Sequence, residues 1–277
     1  MSLLQSFILG AVQGLTEFLP VSSSAHLVLV QHLLGFRKEL IFYDVVLHFG
    51  TLAALFVYFA ADIAHLIRDS IYGISFIYHR KPLNHIAEAA PHSRWALGIL
   101  VATIPTALTG IIFKDEFESM FGSLANAGWT LLITTVLLWL TRYFQKDEKG
   151  IGRATYLDFI LIGLIQGVSI IPGISRSGAT IATALFLGFK REEAFRFSFL
   201  LAIPAILGAG VVELKDGIVG WQWGWPILVI GFAAAGILGY LSLYWLARVT
   251  RSGKIHWFAV YTLFIGILIL ALSSRFE

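Results

Sequence analysis

The sequence predicts an all-α, polytopic membrane protein in which six transmembrane helices and two re-entrant helical hairpins form an inverted-topology repeat. Three observations lead to this fold class. Hydrophobic residues make up 57% of the 277-residue chain, and the mean hydropathy of +0.80 is far above that of a soluble domain. Six apolar stretches are long enough to cross a bilayer, and two interrupted stretches match each other. The sequence therefore predicts a single membrane domain over residues 1–277.

Composition limits the function classes. The net charge is +3, but the 20 Lys and Arg residues are spread over short segments between apolar runs. That distribution is typical of membrane loops, so we expect a lipid bilayer and no nucleic acid as partner. The absence of cysteine excludes disulfides, thiolate nucleophiles and cysteine-type zinc sites. The first basic residue is Arg37, so the opening segment lacks the basic start of a secretory signal and we expect no cleavage.

The six predicted spans follow from length, because a transmembrane helix needs about 20 mostly apolar residues. They cover approximately residues 43–61, 95–113, 127–143, 196–213, 226–247 and 257–273. Regions 3–34 and 156–189 are interrupted by prolines and serine clusters. The uninterrupted helix at 25–34 would rise only about 15 Å, which is half of the hydrocarbon core. Both regions are therefore predicted to be re-entrant hairpins.

The two interrupted regions form a sequence repeat. LGAVQGLTEFLPVSSSAHL and IGLIQGVSIIPGISRSGAT align without gaps at a separation of 153 residues. The identical pairs are Gly10 and Gly163, Gln13 and Gln166, Gly14 and Gly167, Ser22 and Ser175, and Ser24 and Ser177. Repeat one covers about 1–144 and repeat two about 154–277, each with one hairpin and three spans. An odd number of crossings inverts the second unit, so the two hairpin tips are expected to meet near the midplane.

The Lys and Arg residues predict the orientation. Fourteen of them fall on one side of the predicted membrane, in loops 62–94, 142–156, 190–196 and 248–256, and five fall on the other. The five are Arg37, Lys38, Lys114, Lys215 and Arg275. The positive-inside rule makes the first side cytoplasmic and places both termini outside. Trp221, Trp223 and Trp225 are then expected in the outer interfacial belt.

The first hairpin tip carries a polar cluster. Gln13 and Glu17 are four residues apart and share a helix face. After the break, Ser22, Ser23 and Ser24 open the next helix, whose free N–H groups attract anions. Ser23 and His26 lie three residues apart on one side of that helix, where they could form a nucleophile and base pair.

The second tip adds a positive charge. Its helix start carries Ser175, Arg176, Ser177 and Thr180, and the planar fork of arginine suits phosphate oxygens. Together the tips predict a phosphoryl site. Structural alternatives are helix capping or interhelical hydrogen bonding by Ser22, Ser24 and Ser175, an ion pair between Glu17 and Arg176, and a packing role for His48. A mid-membrane charge costs about 2.5 to 3.5 kcal/mol, which favours function for Glu17 and Arg176.

At these residues the sequence resembles the undecaprenyl-diphosphate phosphatase family, bacterial enzymes linked to bacitracin resistance. The family's first motif is similar to Gln13 and Glu17 followed by PVSSSAH. Many members carry Glu where this chain has Gln13, which removes one carboxylate. The second motif, PGxSRSxxT, is matched by Pro172, Gly173, Ser175, Arg176, Ser177 and Thr180.

The resemblance implies hydrolysis of a C55 polyprenyl diphosphate to the monophosphate and inorganic phosphate, which regenerates the lipid carrier of peptidoglycan synthesis. It also implies an inner-membrane location, a site open to the periplasm, dependence on Mg²⁺ or Ca²⁺, and a homodimer. From the residues themselves we expect an anionic substrate and an apolar cavity rich in the 22 Phe residues.

A mechanism follows as a hypothesis. Arg176 and the helix starts hold the diphosphate, with Ser22, Ser24, Gly173, Ser175, Ser177 and Thr180 as binding residues. Ser23 attacks the terminal phosphorus, and His26 takes its proton and later activates water. Glu17 either coordinates the cation, with Gln13 as a neutral ligand, or orients His26. In a second version, His26 or a water activated by Glu17 is the attacking group.

Two rival classes remain from the residues alone. Inverted repeats with broken helices at the midplane are typical of secondary transporters, of which a lipid flippase would be a variant. A purely structural membrane scaffold has no need for an arginine in the middle of the membrane. Phosphate release from a polyprenyl diphosphate by purified protein in detergent separates the enzyme from the transporter.

Overall fold

The computed structural model describes residues 1–36, 40–79, 92–144, 148–217 and 224–276. Within these ranges the regular elements are helices, and the only β feature is an isolated bridge between Lys149 and Phe189. The helices are α1 (Leu3–Phe18), α2 (Ser23–Leu33), α3 (Ile41–Tyr58), α4 (Ala60–Tyr78), α5 (Ser93–Ile112), α6 (Lys114–Met120), α7 (Leu124–Leu140), α8 (Tyr156–Val168), α9 (Arg176–Phe186), α10 (Arg191–Gly217), α11 (Trp225–Arg251) and α12 (Phe258–Phe276).

The described helices confirm a multi-pass membrane protein. Helices α3, α5, α10, α11 and α12 are each long and apolar enough to cross a bilayer. Helix α7 has 17 residues and reaches a span's length only together with α6, from which it is bent by 106°. The six predicted spans coincide with α3, α5, α7, α10, α11 and α12 to within several residues.

The prediction that 62–94 is a loop is wrong for its first part, because α4 occupies Ala60–Tyr78. Ile67, Ile71 and Ile74 are exposed at helical spacing, whereas Asp69 is buried. Interspersed charges lower the hydropathy below that of a span, although the period of an amphipathic helix is present.

Several residues of the orientation and belt predictions lie outside the described residues. These are Arg37, Lys38, Arg80, Lys81, Lys146, Trp221 and Trp223, together with the side chains of Lys215 and Arg275. Trp225 begins α11 and is 76% exposed.

Each interrupted region forms two helices joined by a break. Residues 19–22 separate α1 from α2, and residues 169–175 separate α8 from α9. Ser22 Oγ accepts a hydrogen bond from the Ala25 amide at 3.4 Å, and Ser175 Oγ accepts one from the Gly178 amide at 3.2 Å. The capping interpretation is therefore correct for both serines, which are aligned with each other in the predicted repeat.

Glycines that are aligned in the predicted repeat allow close helix contacts. Helix α1 packs along α11, and a Cβ atom on Gly10 would lie 2.4 Å from the Gly231 carbonyl oxygen. Helix α8 packs along α5, and a Cβ on Gly163 would lie 2.1 Å from the Ala102 carbonyl oxygen. Small residues at these positions hold both broken segments against continuous helices.

The expected Phe-rich cavity is not what the buried phenylalanines form. Their rings pack against one another in the main core, with centroids 5.6 Å apart for Phe18 and Phe199 and 4.9 Å apart for Phe195 and Phe199. The side chain of Phe18 is fully buried. These aromatic contacts hold the last turn of α1 against α10. They thereby position Glu17, the residue before Phe18.

Candidate active site

Glu17 connects the two helix breaks. It lies in the last turn of α1 and is 8% exposed. Its Oε1 accepts a hydrogen bond from Arg176 Nη2, across the two halves of the chain. Its Oε2 accepts from Gln13 Nε2 at 2.9 Å and from Ser23 Oγ at 2.7 Å. One carboxylate thus joins a cation of the second break to a hydroxyl of the first.

Arg176 retains hydrogen-bonding capacity. It is the first residue of α9, and its side chain is 17% exposed. Its Nη1 atom is buried and has no hydrogen-bond partner among the described residues. An unsatisfied buried donor of this kind is costly, and a bound anion would satisfy it.

The predicted contact between Ser23 and His26 is not formed. Ser23 donates to Glu17, while His26 Nδ1 lies 2.8 Å from the Ser22 carbonyl oxygen and Nε2 lies 2.9 Å from the Tyr261 hydroxyl. Because a carbonyl can only accept, Nδ1 carries a proton, and in the neutral ring Nε2 accepts from Tyr261. Glu17 therefore contacts Ser23 and does not orient His26. Ser22 has φ +67, an unusual conformation that sets the direction of the following turn.

Ser24 joins the two breaks through the backbone. Its Oγ accepts a hydrogen bond from the Gly173 amide at 3.2 Å and lies 3.1 Å from Ser22 Oγ. Ser22 therefore caps α2, whereas Ser24 has the other structural role expected of these serines, a hydrogen bond from one helical segment to another.

Two threonines of α7, which sequence reasoning missed, hold the second break. Thr130 Oγ1 donates to the Pro172 carbonyl. Thr134 Oγ1 donates to the Gly173 carbonyl at 3.1 Å and accepts from the Ser175 amide at 3.0 Å. The sequence signal was two hydroxyl residues four apart in an apolar span, a spacing that places both on one helix face.

Ser177 and Thr180 bond to protein groups. Ser177 Oγ donates to the Leu19 carbonyl at 3.3 Å and lies 3.3 Å from Ser175 Oγ. Thr180 Oγ1 donates to the Arg176 carbonyl at 2.8 Å and also pairs with Ser198. Both residues hold the start of α9 in place.

His48 also lies at the site, although a packing role was considered for it. Its Nε2 is 3.6 Å from Glu17 Oε2, and its Nδ1 is 2.8 Å from the Asp44 carbonyl oxygen. Its side chain is 38% exposed, in contrast to 5% for Glu17. The signal in the sequence was an ionisable residue within a predicted span.

The geometry provides the groups that phosphoryl transfer requires. A guanidinium with a free donor can bind phosphate oxygens, and a hydroxyl bonded to a carboxylate can be activated as a nucleophile. The described residues contain no group of three or more His, Cys, Asp or Glu that could hold a metal. The candidate ligands are Glu17, His48 and the buried Oε1 of Gln13, which accepts from no donor in the described part of the chain.

The chain is similar to known proteins over nearly its whole length. Residues 6–268 match the model of the family described as bacitracin resistance protein BacA. The chain is 40% identical to the undecaprenyl-diphosphatase of Carboxydothermus hydrogenoformans over 280 residues, covering 99% of this chain and 98% of that protein. It is also 40% identical to the enzyme of the same name from Halothermothrix orenii, with both chains fully covered. The undecaprenyl-diphosphatase of Methanosphaera stadtmanae is 40% identical over 99% of both chains.

Proposed function

Because the chain belongs to the bacitracin resistance protein BacA family, we propose that it hydrolyses undecaprenyl diphosphate to undecaprenyl phosphate and inorganic phosphate. This reaction recycles the lipid carrier of peptidoglycan synthesis and confers bacitracin resistance. The observation that carries the proposal is the hydrogen-bonded series Arg176, Glu17 and Ser23. In this series the guanidinium of Arg176, which can bind phosphate, and the hydroxyl of Ser23, which can be activated, are bonded to the same carboxylate.

In the proposed mechanism Arg176 and the starts of α2 and α9 bind the diphosphate. Ser23 Oγ attacks the terminal phosphorus, and its proton passes to Glu17, to which it is already bonded. The bond from that phosphorus to the bridging oxygen breaks, and undecaprenyl phosphate leaves with the bridging oxygen. Water then hydrolyses the phosphoserine, releasing inorganic phosphate.

His26 remains the alternative nucleophile. The geometry favours Ser23, because both ring nitrogens of His26 have protein partners. Trapping the phosphoenzyme and mapping the phosphate distinguishes the two. Phosphoserine at Ser23 supports the mechanism, and phosphohistidine at His26 with full turnover in Ser23→Ala contradicts it.

A divalent cation, Mg²⁺ or Ca²⁺, belongs to the proposal. Glu17 and the buried amide oxygen of Gln13 are oxygen donors of the kind that these cations prefer. The protein would supply only one charged ligand, the Glu17 carboxylate. This suits a cation that is held partly by the phosphate oxygens of the substrate. When bound, such a cation stabilises the negative charge that develops on the phosphoryl group.

The membrane arrangement is part of the same proposal. We place the chain in the bacterial inner membrane, with two re-entrant hairpins at 3–34 and 156–189, inverted repeats, a site open to the periplasm and both termini periplasmic. The equivalent caps of α2 and α9 and the equivalent glycine contacts of α1 and α8 support the repeat. Family resemblance supports a homodimer, which light scattering in detergent tests.

The test of function is phosphate release from undecaprenyl diphosphate by the purified chain in detergent, with chelator and then with Mg²⁺ or Ca²⁺. We expect release that depends on the cation and that Arg176→Lys reduces. Arg248→Lys, at an exposed arginine bonded to Tyr244, is the matched control. If the wild type releases no phosphate while Arg176→Lys alters lipid flux in vesicles, the transporter interpretation is correct.

A further inference from the structure

His48 has the orientation of a metal-binding histidine. Its Nδ1 faces the Asp44 carbonyl oxygen at 2.8 Å. Since the carbonyl can only accept, Nδ1 carries a proton, and in the tautomer with this single proton Nε2 keeps its lone pair. Histidine ligands of metals usually donate their second ring N–H to a carbonyl or carboxylate in this way, which fixes the tautomer and the ring direction.

The lone pair of Nε2 faces another acceptor. Nε2 and Glu17 Oε2 lie 3.6 Å apart, so two acceptors oppose each other unless a proton or a cation lies between them. Bonds of about 2.0 to 2.4 Å from one metal ion to nitrogen and oxygen ligands place those ligands about 2.8 to 3.9 Å apart. The observed separation therefore fits two ligands of one cation.

Gln13 lies beside the same carboxylate. Its Nε2 donates to Glu17 Oε2, and its carbonyl Oε1 is buried with no donor among the described residues. Gln13 is fully buried. The exposed side chain of His48 leaves access to this otherwise enclosed group.

The charges around Glu17 explain why the divalent cation would bind together with the substrate. Arg176 bonds to Oε1 of Glu17, whereas His48 lies at Oε2. One carboxylate and one imidazole hold a dication weakly next to a guanidinium. A diphosphate would contribute the missing negative charge and further oxygen ligands.

We propose that His48 is a nitrogen ligand of the divalent cation that Glu17 binds together with the diphosphate. This inference rests on the proposed function. An imidazole ligand favours Mn²⁺ and other first-row cations relative to Ca²⁺, because nitrogen is a poor ligand for Ca²⁺.

The test is pulsed electron paramagnetic resonance on the purified full-length chain with Mn²⁺ and methylenediphosphonate. We expect ¹⁴N modulation from a bound imidazole in the wild type. This signal should be lost in His48→Gln and retained in His26→Gln and His32→Gln. His32 is the matched control, because its Nδ1 also faces a helix carbonyl at 2.8 Å.

Thermal unfolding of His48→Gln in detergent verifies that this variant is folded. The proposal is overturned if Mn²⁺ binds without ¹⁴N modulation, or if the modulation persists in His48→Gln. Binding without modulation is the result expected if His48 and Glu17 form an imidazolium–carboxylate ion pair. Phosphate release by the wild type is measured separately. Modulation without release would reject the proposed function, whereas release without modulation would reject only the role of His48.

Discussion

Ser24 and Gly173 join the two helix breaks directly, since the Gly173 amide donates a hydrogen bond to Ser24 Oγ at 3.2 Å although 149 residues separate them. The ion pair of Glu17 and Arg176 crosses the same boundary. Both breaks are bounded by serine-capped helices whose N-termini begin beside these contacts. The candidate site therefore exists only when the two halves of the chain are folded together.

Gly173→Ala should damage the site through sterics. Gly173 has φ +95, and a Cβ atom there would lie 1.9 Å from Thr130 Oγ1 and 2.4 Å from the Ala127 carbonyl oxygen. We expect phosphate release to fall at least about tenfold, which corresponds to about 1.4 kcal/mol, with a lower unfolding temperature. Gly208→Ala is the control, because no described residue lies within 4 Å of a Cβ at that helical position and alanine is the better helix former. Equal activities in the two variants would contradict this account of Gly173.

Glu17→Gln and Arg176→Gln test whether the ion pair is catalytic or only structural. Each single change leaves a buried charge unpaired, at a cost of about 3 to 5 kcal/mol, and the double variant relieves much of it. We expect the double variant to regain stability over the single variants, while phosphate release stays at least about a hundredfold below the wild type. Glu118→Gln, at an exposed salt bridge with Lys114, controls for loss of a carboxylate. If the double variant recovers activity together with stability, the pair is structural.

Local sequence determined much of this site. Ser22 and Ser175 cap their helices because serine accepts from backbone amides. Glu17 and Arg176 were identifiable because charges are rare inside a membrane. By contrast, the hydrogen-bond partner of Ser23 depends on how α2 is rotated against α1. The spacing of three residues between Ser23 and His26 does not determine that partner. His48, Thr130 and Thr134 reach the breaks only through the packing of α3 and α7, which no local pattern specifies.

Asp69→Asn should destabilise the junction of α4 and α5. The carboxylate is 1% exposed and accepts from Arg68 Nε at 2.9 Å and from the amide and Nδ1 of His92 at 3.0 and 2.9 Å. Burial alone would raise its pKa, but these hydrogen bonds outweigh burial and lower the pKa from 3.8 to about 2. We expect the free energy of unfolding at pH 7 to fall by about 1.5 to 3 kcal/mol.

The pH dependence of this loss follows from the lowered pKa of Asp69. A depressed carboxyl pKa stabilises the fold above pH 3.8, and the contribution is lost as pH falls toward about 2. The difference between wild type and Asp69→Asn should therefore shrink over that interval in thermal unfolding experiments. Asp115→Asn, at an exposed position, should show little difference at any pH. A constant gap for Asp69→Asn would exclude the carboxylate charge as the cause.

Single-cysteine variants test the proposed orientation, because the natural chain contains no cysteine. Ser119 lies in α6, on the proposed periplasmic side, and Ser252 follows α11, on the proposed cytoplasmic side. Both residues are exposed. We expect a membrane-impermeant maleimide to label Ser119→Cys in intact spheroplasts and Ser252→Cys only after permeabilisation. The reverse pattern would invert the topology.

Tyr261→Phe tests how His26 contributes. The Tyr261 hydroxyl lies 2.9 Å from His26 Nε2, and His26 is 7% exposed, so the phenylalanine variant leaves a buried acceptor without a donor. Since His26 Nδ1 is bonded to the Ser22 carbonyl, a freed ring would loosen the break that precedes Ser23. We expect kcat to fall about three- to tenfold, in line with about 0.7 to 1.4 kcal/mol for one hydrogen bond, with KM little changed.

In ¹⁵N-histidine spectra the Nε2 signal of His26 should move toward that of an unbonded imidazole nitrogen. Tyr240→Phe, which keeps the ring contact with Tyr58, should change neither quantity. If Tyr261→Phe shifts the nitrogen signal but leaves kcat unchanged, the hydrogen bond from Tyr261 is present but does not contribute to the reaction.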